Sequence, residues 1–411
     1  MTSPEAFPGP DKSAHQGRLI GLSILMRLTV DTAMRMMYPF LPVISRGLGI
    51  SLAQGGLLLA IRSAMIVASP IFGTWNDRHG PRPLLVGALF LQGLSLLWLS
   101  TAQGFWAAVP SMVLLGLAAA VLVPTLHTVI SNQVPFQRRG RALGIVEFSW
   151  ALTGLFILPL VGLLMVRYGW QMPIRLTGIL SLAASPLPFL LPGGREQAAR
   201  IQRGFLDLTL SVLGVPSARA ALAVSGLMFV AAESFFVTYG AWMENSFGLA
   251  PNEIGRIAAL LGVAELSASG FSSLFIDRIG KKRGVGIGLM AMTGALILLP
   301  LFEGTQKLAV AGMFLFTMSF EFTIVSNIGL LSEQVPRARG TVLSMGAMIS
   351  AITRAASAFV GAALFQSWGI VGPALFGAGG TLLAVFVLYR WVQEQAIVPA
   401  ALGKGTESLG P

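Results

Sequence analysis

The chain has 411 residues, of which 54% are hydrophobic and only 11% are charged, and it contains no cysteine. An ordinary soluble domain carries about 25% charged residues, so this composition excludes a soluble globular protein and is typical of a polytopic helical membrane protein. The lack of cysteine excludes disulfide bonds and thiolate metal sites, and the net charge of +11 comes from basic residues scattered through short loops rather than from a nucleic-acid-binding patch.

Apolar segments long enough to cross a bilayer recur along the whole sequence. A spanning helix needs roughly 20 residues, and we predict twelve transmembrane helices at 19–44, 52–75, 83–101, 105–131, 140–166, 171–191, 220–243, 254–276, 284–302, 308–332, 340–366 and 370–391. The fold class is therefore an all-α membrane protein, with cytoplasmic tails predicted at 1–18 and 394–411. The longest connection, 192–219, is a predicted cytoplasmic linker that could include a short interfacial helix at 200–213.

The distribution of basic residues predicts the orientation. Of the 28 Lys and Arg residues, five lie within the apolar segments. With both termini in the cytoplasm, 19 of the others are cytoplasmic, and only four lie outside: Arg46, Arg167, Arg256 and Lys307. The positive-inside rule therefore places both ends in the cytoplasm. We expect a multi-pass protein of a bacterial inner membrane.

An internal repeat with an offset of about 200 residues divides the chain into two parts. Residues 73–82 read GTWNDRHGPR, and 273–282 read SLFIDRIGKK. Residues 132–140 read NQVPFQRRG, and 333–340 read EQVPRARG. Because both motifs recur at nearly the same offset, we predict two pseudo-symmetric six-helix bundles at 19–191 and 220–393. Halves related in this way, with a site between them, are a transporter architecture.

The repeated loop carries a family resemblance. Gly73-x-x-x-Asp77-Arg78-x-Gly80-x-Arg82 resembles the signature of the major facilitator superfamily, and the second copy departs from it with Ser273 in place of glycine. The resemblance implies alternating access by two rocking bundles and a gate on the cytoplasmic side. The predicted gate residues are Gly73, Asp77, Arg78, Gly80, Arg82, Asp277, Arg278, Gly280, Arg139 and Arg339. A tight turn with orienting charges is the plainer interpretation.

Charged residues inside the predicted spans are the candidate site. Arg27, Asp31 and Arg35 are spaced by four residues, so they share one helix face. Such groups are costly in lipid and are functional candidates by default. The candidate proton-coupling residues are Asp31, Glu233, Glu147 and Glu321, and the candidate substrate-binding residues are Arg27, Arg35, Arg62, Glu265, Arg354 and His127. The structural alternative is ion pairing that fixes helix registry.

Two further motifs bear on coupling. Pro39-Phe40-Leu41-Pro42 resembles a feature of drug and sugar effluxers, or is a simple helix stop. Gly154-x-x-x-x-Pro159-x-x-Gly162 resembles a degenerate antiporter motif. The arginine that proton antiporters carry in helix four is replaced here by Met112. Arg62 or Arg35 is then expected to take its role, unless proton coupling differs.

The predicted function is secondary active transport, with proton-coupled efflux of a small organic compound placed first. Uptake or exchange of an organic anion held by the intramembrane arginines is the first alternative, and a membrane receptor or lipid flippase is the second. The sequence has no phosphate-binding loop and no metal-ligating cluster, so we expect neither an enzyme nor a cofactor. The expected partners are the substrate, protons and the bilayer, without nucleic acid, and the chain is expected to be a monomer.

Overall fold

A computed structural model describes residues 10–191 and 205–394, and no strand occurs among these residues. The helices of the first half are α1 Pro10–Arg35, α2 Leu41–Leu48, α3 Leu52–Ala64, α4 Ser69–His79, α5 Pro81–Leu99, α6 Phe105–Gln133, α7 Phe136–Leu152, α8 Leu158–Tyr168 and α9 Gln171–Ala184. Those of the second half are α10 Phe205–Leu213, α11 Pro216–Phe247, α12 Pro251–Ile279, α13 Lys281–Leu298, α14 Gln306–Gln334, α15 Arg339–Trp368 and α16 Val371–Trp391.

Each predicted segment falls on helix, but the spans differ in regularity. By length and hydropathy alone, ten helical stretches of the described chain qualify as membrane spans, or eleven if the bent pair Leu41–Leu48 and Leu52–Ala68 counts as one. The count of twelve is thus approximate. Helix α1 is long enough to span, but Arg18, Arg27, Asp31 and Arg35 interrupt its apolar sequence. These charged residues are the reason that hydropathy alone does not identify α1 as a membrane span.

Three spans of the first half are broken where the sequence contains proline. Residues 36–40 form turns between α1 and α2, a 3₁₀ turn at Met65–Ala68 precedes α4, and a π-helical turn at Thr153–Ile157 joins α7 to α8. Proline lacks the amide hydrogen that would continue the helical ladder. Breaks of this kind inside helices are frequent at functional sites, and two of the three adjoin the charged residues described below.

Glycines with positive φ mark the pseudo-symmetry. Gly49, Gly80 and Gly169 have φ of 71°, 80° and 84°, and glycines 199, 200 and 200 residues later, Gly248, Gly280 and Gly369, have φ of 65°, 88° and 56°. L-residues rarely adopt this conformation, so the same turns recur in both halves. We call the end with Gly80 and Gly280 the motif end, and the end with Gly49 and Gly248 the far end.

The borders differ in part from the predicted ones. Helix α1 begins at Pro10, inside the predicted tail 1–18, because Pro is well suited to a first helical turn and no helix breaker but Gly17 follows it. Helix α10 occupies the second part of the predicted linker. Residues 1–9, 192–204 and 395–411, which include half of the predicted N-terminal tail and nearly all of the C-terminal one, lie outside the described residues.

The two halves are packed together at the far end. Phe40 and Leu41 of the first half belong to the same buried apolar cluster as Trp242 and Phe365 of the second half. Glycines allow the backbones to touch there: a Cβ on Gly240 would overlap the Pro39 carbonyl oxygen. Small residues at helix crossings permit such close approach in membranes. The structure is therefore closed at the far end.

Candidate functional site

A cavity of about 80 Å³ lies between the halves, just below the closed far end. This volume suffices for a few water molecules. Its walls combine acids and arginines with aromatic side chains: Tyr38, Trp150, Phe229, Phe236, Tyr239 and Phe320. An organic compound would need the cavity to widen, which requires the two halves to separate.

An ion pair between the halves forms one wall of this cavity. Arg35 at the end of α1 binds Glu265 of α12 through two parallel hydrogen bonds, Nη1 to Oε2 at 2.8 Å and Nη2 to Oε1 at 3.0 Å. Arg35 also donates to the carbonyl oxygen of Trp150 at 3.1 Å and lies 4.6 Å from the centroid of that ring. A Cβ on Gly154 would lie 2.8 Å from Arg35 Nη2. The glycine of the predicted antiporter motif thus makes room for the guanidinium.

The hydroxyl of Tyr38 is the centre of a second junction between the halves. It accepts hydrogen bonds from Arg62 Nη2 at 3.1 Å and from Arg354 Nη2 at 2.7 Å, and it donates to Glu233 Oε1 at 3.0 Å. Arg354 Nε binds the other oxygen of Glu233 at 2.9 Å. Arg62 is fully buried and also donates to the Met34 carbonyl oxygen. This phenol, in the turn after α1, therefore connects α3, α11 and α15.

A third cluster lies entirely within the first half. Arg27 binds Asp31 through Nε at 3.1 Å and Glu147 through Nη2 at 2.8 Å. Ser149 donates to Asp31 at 2.6 Å, and His127 Nε2 lies 2.6 Å from Glu147 Oε1. The side chains of Glu147 and His127 are 44% and 38% exposed. Polar groups exposed at membrane depth require water, and because the far end is closed we infer that a vestibule reaches them from the motif end.

Glu321 is the remaining acid of the cavity. Ser269 donates a hydrogen bond of 2.8 Å to its Oε1. It lies on α14 and lines the cavity together with Glu265 and Arg35. The cavity walls thus hold three acids, Glu233, Glu265 and Glu321, and two arginines, Arg35 and Arg354. The cavity walls therefore carry one more acid than arginine.

The ten candidates for coupling and binding therefore separate into three groups. Arg27, Asp31, His127 and Glu147 meet in the first half, Arg35, Glu265 and Glu321 meet at one cavity wall, and Arg62, Glu233 and Arg354 meet at the Tyr38 junction. Sequence reasoning missed Tyr38 because a lone tyrosine carries no charge signal. Its position one turn after Arg35, directly before Pro39, was the available clue. Ser149 was missed for the same reason.

The predicted gate residues lie at the motif end. Arg82 donates to the Leu191 carbonyl oxygen at 2.8 Å, and Lys282 makes the equivalent contact with Val392 at 2.7 Å in the second half. Arg139 donates to the Val134 carbonyl oxygen at 3.0 Å. Arg278 and Arg339 are exposed, and Gly80 and Gly280 form the two positive-φ turns. The surroundings of Gly73 and the side chains of Asp77, Arg78 and Asp277 lie outside the described part.

The fourth predicted span, α6, lacks the arginine of the proton antiporters, and the buried side chain of Met112 occupies its position. Met112 is buried, and a Cβ on Gly116 one turn later would overlap the backbone oxygen of Arg62. The helix carrying Arg62 thus crosses the helix carrying Met112 at the expected place. Gly162, the last residue of the degenerate motif, contacts the Pro251 backbone of the other half. The motif glycines are therefore contact points between halves.

Sequence profiles agree with this architecture across almost the whole chain. The profile described as Major Facilitator Superfamily matches residues 24–230 and 221–408, once for each half. The chain belongs to the major facilitator superfamily. This membership confirms the family resemblance of the repeated loop. It also identifies the chain as a multi-pass membrane transporter and not an enzyme.

Relatives within the superfamily are distant but match over most of their length. The chain is 22% identical over 359 residues to the uncharacterized MFS-type transporter YwfA of Bacillus subtilis strain 168, covering 85% of this chain and 86% of that protein. It is 24% identical over 373 residues to the multidrug resistance protein MdtG of Serratia proteamaculans strain 568, covering 87% and 89%. The crystal structure of a D-xylose-proton symporter superposes with a TM-score of 0.77 at 16% identity, covering 92% and 98%.

Tyr38→Phe tests the four-way junction. The change leaves two guanidiniums without their shared acceptor and Glu233 Oε1 without its donor, and each such buried loss costs about 1–3 kcal/mol. We expect a lower thermal unfolding midpoint in detergent and loss of transport. Tyr239→Phe, on the same cavity wall, is the matched control and should retain both. Equal effects of the two changes would contradict the special role of Tyr38.

Proposed function

We propose that this transporter exports a small organic compound in exchange for protons. The observation that carries the proposal is the Arg35–Glu265 pair, which joins the halves at the cavity wall. A protonated carboxyl loses its charge attraction to a guanidinium, so proton binding at this wall would favour separation of the halves. The neighbouring acid Glu321 gives a second place at which a proton could bind.

The closed far end supports loading of the substrate from the opposite side. The far end is sealed by the contacts of Gly240 and the shared apolar cluster, whereas Glu147 and His127 are exposed to a vestibule from the motif end. The positive-inside rule makes the motif end cytoplasmic. Compounds of the cytoplasm would therefore reach the vestibule first and enter the cavity as it widens, and the multidrug resistance protein among the relatives is consistent with export.

Asp31 is our first candidate for the coupling proton. It is 2% exposed and bound by Arg27 and Ser149, and the vestibule reaches its neighbour Glu147. A proton arriving at Glu147 would weaken the hold on Arg27, which then binds Asp31 alone. This cluster would thus sense protons from the cytoplasmic side, separately from the pairs that join the halves.

Anion uptake or exchange ranks second. Both arginines of the cavity wall already bind a carboxylate. Arg35 binds Glu265 of the other half, and Arg354 binds Glu233 of its own half. An anionic substrate would have to displace one of these internal carboxylates. A neutral or cationic compound meets no such competition, and the aromatic walls can pack against it.

We also propose that the motif-end residues around Asp77 and Asp277 gate the cytoplasmic side.

Asp31→Asn tests proton coupling directly. Candidate substrates are first selected by the thermal shift that they give to the purified protein. Addition of such a compound to acidified inside-out vesicles should reduce the luminal acidity for the native chain. In Asp31→Asn the compound should still bind, but the proton response should disappear because the side chain can no longer ionise.

Glu303→Gln, in an exposed far-end loop, is the control and should respond like the native chain. Counterflow of substrate without any pH response of the native protein would exclude proton exchange. A normal response of Asp31→Asn would move the proton site to another acid.

A further inference from the structure

A second cavity lies on the membrane-facing side of the first half. It has a volume of about 610 Å³ and opens between α4, α5 and α6. All thirteen residues that line it are apolar, among them Phe72, Trp75, Leu91 and Leu94. Trp75 and Leu94 are 40% and 43% exposed, so the crevice is open at the surface.

The shape of this crevice fits a hydrocarbon chain. Its α5 wall runs from Pro83 to Leu94, and at 1.5 Å per residue this is roughly 16 Å along the helix. A Cβ on Gly87 would find no atom within 4 Å, so the glycine leaves part of the space open. An apolar opening of this size excludes water and, in a bilayer, must be filled by a membrane component.

The position of the second half that matches Gly87 carries a larger side chain, Ile287. A Cβ on Gly284 would overlap Ile276 of α12, and one on Gly288 would overlap Thr323 of α14. Helix α13 thus packs closely on both neighbours at these two glycines. The opening at Gly87 is therefore not a simple repeat of the second half.

A positive charge and two aromatic rings with polar nitrogens lie where the crevice opens toward the motif end. Arg82, adjacent to the lining residue Pro83, is exposed and binds the Leu191 carbonyl oxygen with Nη2. Helix α5 begins at Pro81 without a side-chain cap, which leaves the positive end of its dipole open. The ring of His79 stacks on Trp75 with centroids 4.6 Å apart. Trp is a preferred residue at the level of lipid headgroups.

We propose that this crevice binds one phospholipid, with an acyl chain along α5 and the phosphate at Arg82. The apolar lining of the crevice binds the acyl chain, and the Arg82 guanidinium and the start of α5 bind the phosphate. The site is distinct from the cavity between the halves. It ties a lipid to the turn that carries the predicted gate.

The test titrates the detergent-purified full chain with phosphatidylglycerol that carries brominated acyl chains. Bromine quenches nearby tryptophan fluorescence, and the contribution of Trp75 is obtained by comparison with Trp75→Phe. We expect saturable quenching, and Gly87→Leu should raise its midpoint by about tenfold because the side chain fills the space of several methylene groups. Leu91→Phe is a second filling variant, which keeps the test usable if Gly87→Leu does not fold.

Gly294→Leu on α13 is the matched control, since a Cβ there also meets nothing within 4 Å. Its midpoint should equal that of the native chain, and Arg82→Gln should raise the midpoint by weakening the hold on phosphate. Quenching of Trp75 that does not saturate, or unchanged midpoints in both filling variants, would overturn the proposal. Saturation at the same midpoint by a brominated fatty alcohol in native protein and in Arg82→Gln would also overturn it, because the phosphate would then be irrelevant.

Discussion

Gly240→Val is expected to open the far end and abolish transport. A Cβ at this position would overlap the carbonyl group of Pro39 in the other half, and backbone atoms cannot move aside as a flexible side chain does. Overpacking of this kind costs about 1–3 kcal/mol, which would shift the balance between closed and open far ends by about 5- to 150-fold. The bulk acts only when the far end is closed.

Distances between spin labels would measure this shift. The native chain has no cysteine, so cysteines introduced at the exposed far-end positions Gln103 and Lys307 would be the only labelled sites. We expect the label distance to lengthen in Gly240→Val. Gly379→Val is the matched control, because it makes the same change where a Cβ meets nothing within 4 Å. An unchanged distance in Gly240→Val would show that the far-end contact does not hold the closed state.

The second large effect is expected for Glu265→Gln. This change keeps the shape of the side chain but leaves Arg35 without its counter-charge, and breaking a buried ion pair costs roughly 3–5 kcal/mol. The pair qualifies as buried, since its side chains are only 9% and 11% exposed. We expect a lower unfolding midpoint, a weaker closure of the far end and little transport.

The chain offers an internal control for this pair. Arg46 and Glu244 also join the halves, but their side chains are 60% and 23% exposed. Solvent-exposed pairs contribute at most about 1 kcal/mol, so Glu244→Gln should leave the unfolding midpoint nearly unchanged. A double-mutant cycle with Arg35→Met then isolates the coupling between Arg35 and Glu265. Equal destabilisation at both pairs would contradict the importance of burial.

The charged residues of the site illustrate how far sequence reasoning reaches. That Arg27, Asp31 and Arg35 could not face lipid followed from composition and helical spacing alone. The sequence did not separate them, however, and the structure directs Arg27 and Asp31 to the first half but Arg35 across to Glu265. Turns at 36–40 and 153–157 adjoin these residues and their partners. Such local breaks depend on packing as well as on proline.

The sequence by itself determined the membrane class, the approximate helical spans, the duplication and the superfamily, because hydropathy and repeated turn motifs are local signals. The orientation is still a prediction from the positive-inside rule. Only the tertiary structure decided which acid meets which arginine, that Tyr38 connects three helices, that the far end is closed, and that an apolar crevice opens beside α5. Partners such as Arg35 and Glu265 are 230 residues apart. Their contact depends on helix packing, which periodicity does not encode.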